Sequence, residues 1–416
     1  MTGQDPRPGP LDGIRVIDLT TIVLGPLAGQ MLGDMGADVI KVESPEGDTA
    51  RTSGPEPTQG RGTLFIGANR NKRSLVLDLK RAEGRDALLA LAARSDVFLH
   101  NMRPQAIARL GLAYAEVSSA SPAIVYCAAY GFRAGGPYSH KPAFDDMIQA
   151  ASGFAALQGR NLGRPVYATS IIADKICAMA AAQAIVMALF SRARSGRGQA
   201  IEMPMFETLV AFNMVEHLYG RTFEPARGPA GYPRALSPDR RPYRTADGYI
   251  GVLPYTERQW QAFLGVAGRP ELIDDARFAS YGARLANVDA LYAEIAACLA
   301  GRTSAEWLAA LDQVNVPCTV VNAPNDLPDD PHLAAVGFWE MREDPELGTL
   351  RLPGIATRFS DTPGAIRRLP PRLGEHSLEV LREIGLSEQR IRHMLDRGVT
   401  VQAPPLAAPA EPEDVP

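Results

Sequence analysis

Leu11-Asp12-Gly13-Ile14-Arg15-Val16-Ile17-Asp18-Leu19, followed by Gly25-Pro26 and by Gly36-Ala37-Asp38-Val39-Ile40-Lys41-Val42-Glu43, is the stretch that decides the fold. Residues 14–19 form an apolar run with Val and Ile, the composition of a strand. Gly25-Pro26 opens a helix, with proline at a tolerated first-turn position. Leu27, Met31, Leu32 and Met35 mark one face of it, Gly36 closes it, and residues 38–43 read as a second strand. The alternation recurs as strand 74–79, helix 81–94 and strand 96–101, then a helical piece before strand 123–130. Strands alternating with helices predict a parallel sheet with covered faces, a Rossmann-like α/β layer.

Residues 44–70 are rich in Gly, Pro and Thr and read as a long loop of the kind that is usually functional. A small-residue stretch, Ala168 to Ala173, leads to Asp174 and a long apolar helix that ends near Ser191. A turn at 192–198, a strand at 200–203 and another helix follow. Tyr243-Arg244-Thr245 and Tyr249-Ile250-Gly251-Val252 flank Ala246-Asp247-Gly248, a hairpin signal. Helical segments with Trp260 and Trp307 come next, and residues 316–322 are strand-like. The expected organisation is a flexible N-terminus at 1–10 and the first part of a large domain at 11–220. A smaller α+β domain at 221–325, a return to the large domain at 326–398 and a disordered Pro/Ala/Glu-rich tail at 399–416 complete it.

Composition narrows the class. The chain has 416 residues, enough for two or three domains, with 46% hydrophobic and 22% charged residues, as in ordinary globular proteins. A net charge of −4 gives no reason to expect nucleic acid or an anionic membrane as partner. Cys127, Cys177, Cys298 and Cys318 form no CxxC pair and the six histidines do not cluster, so no metal site is expected and a reducing cytoplasm fits. Residues 1–10 lack the apolar core of a secretory signal. The run Ile176 to Phe190, broken by Gln183, falls short of the ~20 residues of a bilayer span and reads as a buried helix of a soluble protein. Gly25 to Gly29 is G-x-x-x-G rather than G-x-G-x-x-G, which disfavours a nicotinamide dehydrogenase, and neither a Walker A motif nor a G-x-S-x-G elbow occurs.

Asp174 is the candidate catalytic residue. A lone carboxylate there suits two roles. It can cap the helix that follows, since Asp is a preferred N-cap. It can also act as a nucleophile in a dry site, where a desolvated carboxylate attacks an electrophilic carbonyl. Ala173, Ala178 and Ala181 leave room beside it.

Several ordered motifs bear on the choice. They are the opening segment, Asn71-Lys72-Arg73-Ser74, Leu77-Asp78-Leu79-Lys80, and Asn101 with Arg109-Leu110-Gly111. Phe144-Asp145 with Gln149 and Ser152-Gly153, then Asp174 and Gly196-Arg197-Gly198-Gln199, continue the series. Pro317-Cys318, Asp330-Pro331-His332 and Leu373-Gly374-Glu375-His376 end it. In this order they resemble class III CoA-transferases, the family of formyl-CoA:oxalate CoA-transferase and α-methylacyl-CoA racemase, over roughly residues 10–398. The resemblance implies an interlocked homodimer, Asp174 as nucleophile, and coenzyme A esters as substrates with no permanently bound cofactor. It implies CoA contacts from Ile22, Val23, Leu77, Lys80, Asn101 and Arg109. Lys72, Arg73 and Lys141 are further candidates for the CoA site or form a solvated basic surface, Phe144 is a candidate beside it, and Asp145 is a candidate there or a capping or surface acid. Lys and Arg donors match the CoA phosphates.

Departures from the family pattern restrict the chemistry. Racemases of this type carry histidine where this chain has Phe144, and phenylalanine cannot move a proton. Val23, Ser44 and the segment 228–234 differ from the formyl-CoA:oxalate pattern, which puts formate and oxalate in doubt. Arg234, Arg240, Arg241 and Arg244 are candidates for gripping the distal carboxylate of a diacid, or form a solvated basic linker. The expected activity is an acyl-CoA:carboxylate CoA-transferase. The alternatives are an acyl-CoA racemase or epimerase, and a catalytically silent CoA-binding protein.

Overall fold

A computed structural model describes residues 7–55 and 60–406. Two compact units emerge, one from the described parts of 1–152, 168–210 and 335–416, the other from 153–167 and 211–334. The large unit is built on six strands: β1 (Arg15–Leu19), β2 (Asp38–Glu43), β3 (Lys72–Val76), β4 (Val97–His100), β5 (Val125–Tyr130) and β6 (Gln199–Pro204). Their order is β3-β2-β1-β4-β5-β6 and every neighbouring pair is parallel. Val16 pairs with Val39 on one side and Val97 on the other, so the chain reverses its direction of winding between β1 and β4. In such sheets ligands bind in the crevice beyond the strand C-termini at that reversal.

The helices of this unit are α1 (Leu24–Asp34), α2 (Thr63–Asn69), α3 (Ala82–Ala92), α4 (Pro104–Arg109), α5 (Tyr114–Ala120) and α6 (Asp145–Ala151). After α7 (Phe154–Gly159) of the second unit comes α8 (Ile172–Ser195). α1 lies close on the sheet because it presents glycine there: a Cβ on Gly29 would stand 2.8 Å from the Asp18 carboxylate. α8 packs against α1, β5 and β6 and ends at Gly196 with φ 71°. Its 24 residues exceed the expected length and are apolar enough to cross a bilayer, yet Ala178, Ala181 and Ile185 are buried in the unit. Met179, Met187 and Phe190 on α8 remain exposed.

Three sequence expectations need correction. β3 begins two residues before the expected 74, because Lys72 and Arg73 are buried inside the strand on ion pairs. The expected loop 44–70 contains a 3-10 turn at Thr49–Thr52 and the helix α2. The expected tail is ordered at least as far as residue 406: Val399, Thr400 and Ala403 are buried, and Thr400 Oγ1 donates to the Val76 carbonyl at 2.7 Å. Gly9 is likewise packed against Met35. The remainder of the two expected disordered ends, 1–6 and 407–416, lies outside the described residues.

The return after the second unit begins at 335 with a hairpin, β10 (Trp339–Asp344) and β11 (Gly348–Pro353), which the sequence did not signal. Helices at Ser377–Glu383 and Glu388–Asp396 then place Val380, Leu381, Ile391 and Met394 in the core beside β1 to β4.

The second unit contains the expected hairpin, β7 (Tyr243–Arg244) and β8 (Tyr249–Val252), extended antiparallel by β9 (Cys318–Val320). Trp260, Phe263, Trp307 and Leu311 pack beneath it. Gly153–Tyr167 also belongs to this unit, where Val166 bonds to the Ala155 carbonyl at 3.1 Å, a partnership with no local sequence signature. The boundaries at 211 and 334 therefore differ from the expected 221 and 325.

Candidate active site

A cavity of about 550 Å³ opens at the reversal of the sheet. Its floor comes from the segments that follow three strand ends: Thr21 and Ile22 after β1, Asn101 and Met102 after β4, and Tyr130 with Gly131 at the end of β5. Asp174 enters it from the first turn of α8 and Phe144 from the residue before α6. Arg103, Arg109 and Lys141 bring positive charge to its lining. All three are exposed side chains, so phosphate-sized anions can reach them.

The turn after β1 is strained and held from beneath. Ile22 has φ 73°, which a β-branched residue rarely adopts. Its N–H donates to both Asp48 oxygens, at 3.1 and 3.2 Å. Asp48 is itself locked by the fully buried Lys41, whose ammonium reaches Asp48 Oδ2 and the Thr20 carbonyl, each at 2.9 Å. Thr21 and Asn101 exchange two hydrogen bonds, at 3.1 and 2.9 Å, and join the segments after β1 and β4. A layer of buried ion pairs thus fixes the backbone that lines the cavity.

Asp174 is 8% exposed. It occupies the third position of α8, and the preceding Ile171 caps nothing with its side chain, so Asp174 is not an N-cap. Among the described residues no cation and no hydrogen-bond donor engages its carboxylate. Burial, and secondarily the charge of Asp145, push its pKa up to about 7. Asp145 stands behind it: Oδ1 accepts the Asp174 backbone N–H at 3.0 Å, and Oδ2 accepts from Gln149 Nε2. Gln149 Oε1 in turn accepts the Ala168 N–H at 2.8 Å, which ties down the segment leading to α8. The positive end of the helix favours the ionised acid, but by only 0.3–1 kcal/mol for a typical site, and desolvation outweighs it.

The structure sorts the sequence candidates. Ile22, Asn101, Arg109, Lys141, Phe144 and Asp174 line one cavity, and Asp145 lies directly behind it. Phe144 is 62% exposed rather than a packed core ring. Lys72 is fully buried and bonds Asp18, the Pro26 carbonyl and Asn69 within 2.8 Å, so it has no donor left for a phosphate. Burial pulls its ammonium down to about 8 against the attraction of Asp18. Arg73 is committed to Asp38, Glu379 and Glu383. Leu77 is a core side chain at 1% exposure and Val23 is buried outside the cavity lining. Lys80 is exposed and also outside that lining.

In the second unit Arg234, Arg240 and Arg241 share a cavity, whereas Arg244 does not reach it. Tyr243 is buried and Arg244 exposed because successive strand residues face opposite ways. Sequence reasoning missed Arg103, Tyr130 and Met205. None of the three left a local sequence signal.

The arrangement offers one destabilised carboxylate, a basic rim and Phe144 rather than a second proton carrier beside it. A sequence model of CoA-transferase family III matches residues 11–377. The chain is 34% identical over 402 residues to the succinate–glutarate CoA-transferase of Agrobacterium fabrum, covering 94% of this chain and 99% of the relative. It is 31% identical to the succinyl-CoA–L-malate CoA-transferase beta subunit of Chloroflexus aurantiacus, covering 94% and 98%. Among solved structures, a CAIB/BAIF family protein of Brucella suis superposes with a TM-score of 0.77 at 32% identity over 91% of this chain and 100% of that one. Rv3272 of Mycobacterium tuberculosis reaches 0.81 in a mutant form, at 29% identity over 90% and 99%. The chain belongs to CoA-transferase family III and is an enzyme, a CoA-transferase.

Proposed function

We propose that this enzyme moves coenzyme A from an acyl-CoA to a free carboxylic acid through Asp174. The observation that carries the proposal is a buried, unpaired carboxylate opening on the cavity at the sheet reversal. A carboxylate denied water and counter-charge is a stronger nucleophile than one in solution, and a thioester is a suitable electrophile.

Asp174 attacks the donor carbonyl, the C–S bond breaks, and the CoA thiolate leaves behind an aspartyl–acyl anhydride. The thiolate attacks the aspartyl carbonyl and releases the donor acid, giving an aspartyl–CoA thioester. The acceptor carboxylate attacks that thioester, forming a second anhydride and freeing the thiolate again. The thiolate takes the new acyl group and Asp174 is restored. No net proton is consumed. Arg103, Arg109 and Lys141 hold the CoA phosphates, Asn101 and the Ile22 backbone the rest of the carrier. Asp145 and Gln149 fix the Asp174 backbone. The relatives named for succinate, glutarate and malate support short diacids as substrates.

The exposed Met179, Met187 and Phe190 of α8 support the homodimer that the family resemblance implies. Four free cysteines fit a cytoplasmic setting.

The test is isotopic. With an acceptor acid carrying ¹⁸O in its carboxylate, one turnover leaves one acceptor oxygen on Asp174, so the peptide bearing it gains about 2 Da, rising towards about 4 Da as repeated turnovers exchange the second oxygen. Asp174→Ala abolishes both exchange and labelling. Turnover without label in Asp174, or wild-type rates in the alanine variant, refutes the proposal. Exchange of the α-proton in deuterated water without acid exchange would point to the isomerase instead.

A further inference from the structure

We propose that the second unit carries its own carboxylate-binding site, in which Arg234 and Arg240 grip one carboxylate of a small diacid. The deeply buried arginines of this protein each have an acidic partner. Arg51 meets Glu43 at 2.7 Å, Arg61 meets Asp344 at 2.6 Å, Arg70 meets Asp34 at 2.7 Å, and Arg284 meets Glu257 at 2.8 Å. Arg234 is less deeply buried and has no acidic partner among the described residues. It is half-buried on the short helix Pro233–Leu236, yet its Nε bonds a neutral group, the Tyr292 hydroxyl at 2.9 Å, and its guanidinium lies 5.4 Å from the centre of the Tyr255 ring. Among the described residues neither Arg234 nor Arg240 forms an ion pair. Arg241 has Asp239 at 3.1 Å. A guanidinium held in place by tyrosines and left without a counter-charge keeps its charge-assisted donors free for an anion from outside.

The cavity is large enough for that anion. Arg234, Arg240 and Arg241 open on a space of about 520 Å³, and Tyr243 and Tyr292 add hydroxyls. Val252, Leu253 and Pro317 supply an apolar wall suited to a short methylene chain. The planar guanidinium fork fits a carboxylate in two parallel hydrogen bonds. The choice of a diacid over other anions rests on the transferase proposal. The site itself rests on the cavity and its unpaired cations.

Calorimetric titration of the full-length protein with glutarate, butyrate and adenosine 3′,5′-bisphosphate tests it. In the Asp174→Ala background, glutarate binds at least tenfold more tightly than butyrate. Arg234→Met and Arg240→Met each weaken glutarate at least tenfold. Arg240 is exposed, so its variant folds even if the Arg234 variant does not, and Arg244→Met, outside the cavity, leaves binding unchanged. Glutarate affinity indifferent to Arg240, no preference for the diacid, or dependence on these arginines for the bisphosphate alone each overturns the inference. A protein that fails to exchange CoA but keeps Arg-dependent glutarate binding sinks the transferase proposal and spares this one.

Discussion

Replacing Asp174 by asparagine should make the protein more stable, and increasingly so as pH rises. The carboxyl has a pKa of about 7 in the folded chain against an ordinary 3.8. At 1.36 kcal/mol per unit, keeping it ionised in the fold costs on the order of 4 kcal/mol. The sign follows from proton binding. Between the two values the folded state holds more protons than the unfolded one, so stability falls as pH rises. The cost is absent below the unfolded value and complete above the folded one. Asparagine has nearly the same shape and does not titrate, so any change in hydrogen bonding adds a constant. The gain of Asp174→Asn should therefore grow by roughly 2–3 kcal/mol between pH 5 and pH 8. For a unit of this size that is roughly 4–6 °C in melting temperature. Scanning fluorimetry of both proteins across that range reads it directly. A variant whose advantage is flat with pH, or larger at pH 5, would falsify the assignment of a destabilised carboxylate, whatever the variant does to activity.

Three further outcomes follow from the geometry. Asp145→Asn removes the like charge behind Asp174, so the acidic limb of the pH profile of kcat/KM should move to lower pH; the new amide faces Gln149 Nε2, and Asp145→Asn with Gln149→Glu should restore the lost hydrogen bond, worth about 1 kcal/mol. Lys72→Met leaves Asp18 buried and unpaired and should cost about 3–5 kcal/mol in chemical denaturation, where a CoA contact would instead have changed KM with stability intact. Arg103→Ala and Arg109→Ala should each raise KM for the acyl-CoA about 5- to 30-fold, the worth of about 1–2 kcal/mol, with kcat little altered; unchanged KM in both would remove the basic rim from CoA binding.

The opening strand–helix–strand was legible because its apolar run, its first-turn proline and its closing glycine agree with each other. β3 starts two residues before its sequence pattern indicates because that pattern treats Lys and Arg as surface residues, and Lys72 and Arg73 are satisfied by carboxylates 54 and 35 positions away. The same blindness misread residues 399–403, whose burial depends on hydrogen bonds to Val76 and Asp78 over 300 residues earlier. Asp174 stood out since a lone acid among small apolar residues is conspicuous. Arg103, one ordinary arginine in a loop, became visible only when the ends of β1, β4 and β5 gathered around one space.

The buried ion pairs under the cavity explain why this site needs so much charge that never meets a substrate. Lys41, Asp48, Asp18 and Lys72 are each fully buried or nearly so, and replacing such pairs by apolar side chains is often stabilising. Apolar replacements, however, could not supply the two carboxylate oxygens that hold the Ile22 N–H, nor the ammonium that takes the Thr20 carbonyl. The left-handed turn at Ile22 would then relax and the wall of the cavity would shift. Lys41→Met with Asp48→Leu separates the two roles: a chain that folds as firmly as the wild type but binds acyl-CoA more weakly would show that the pair serves the turn, while unaltered binding would mean that the turn stands without it.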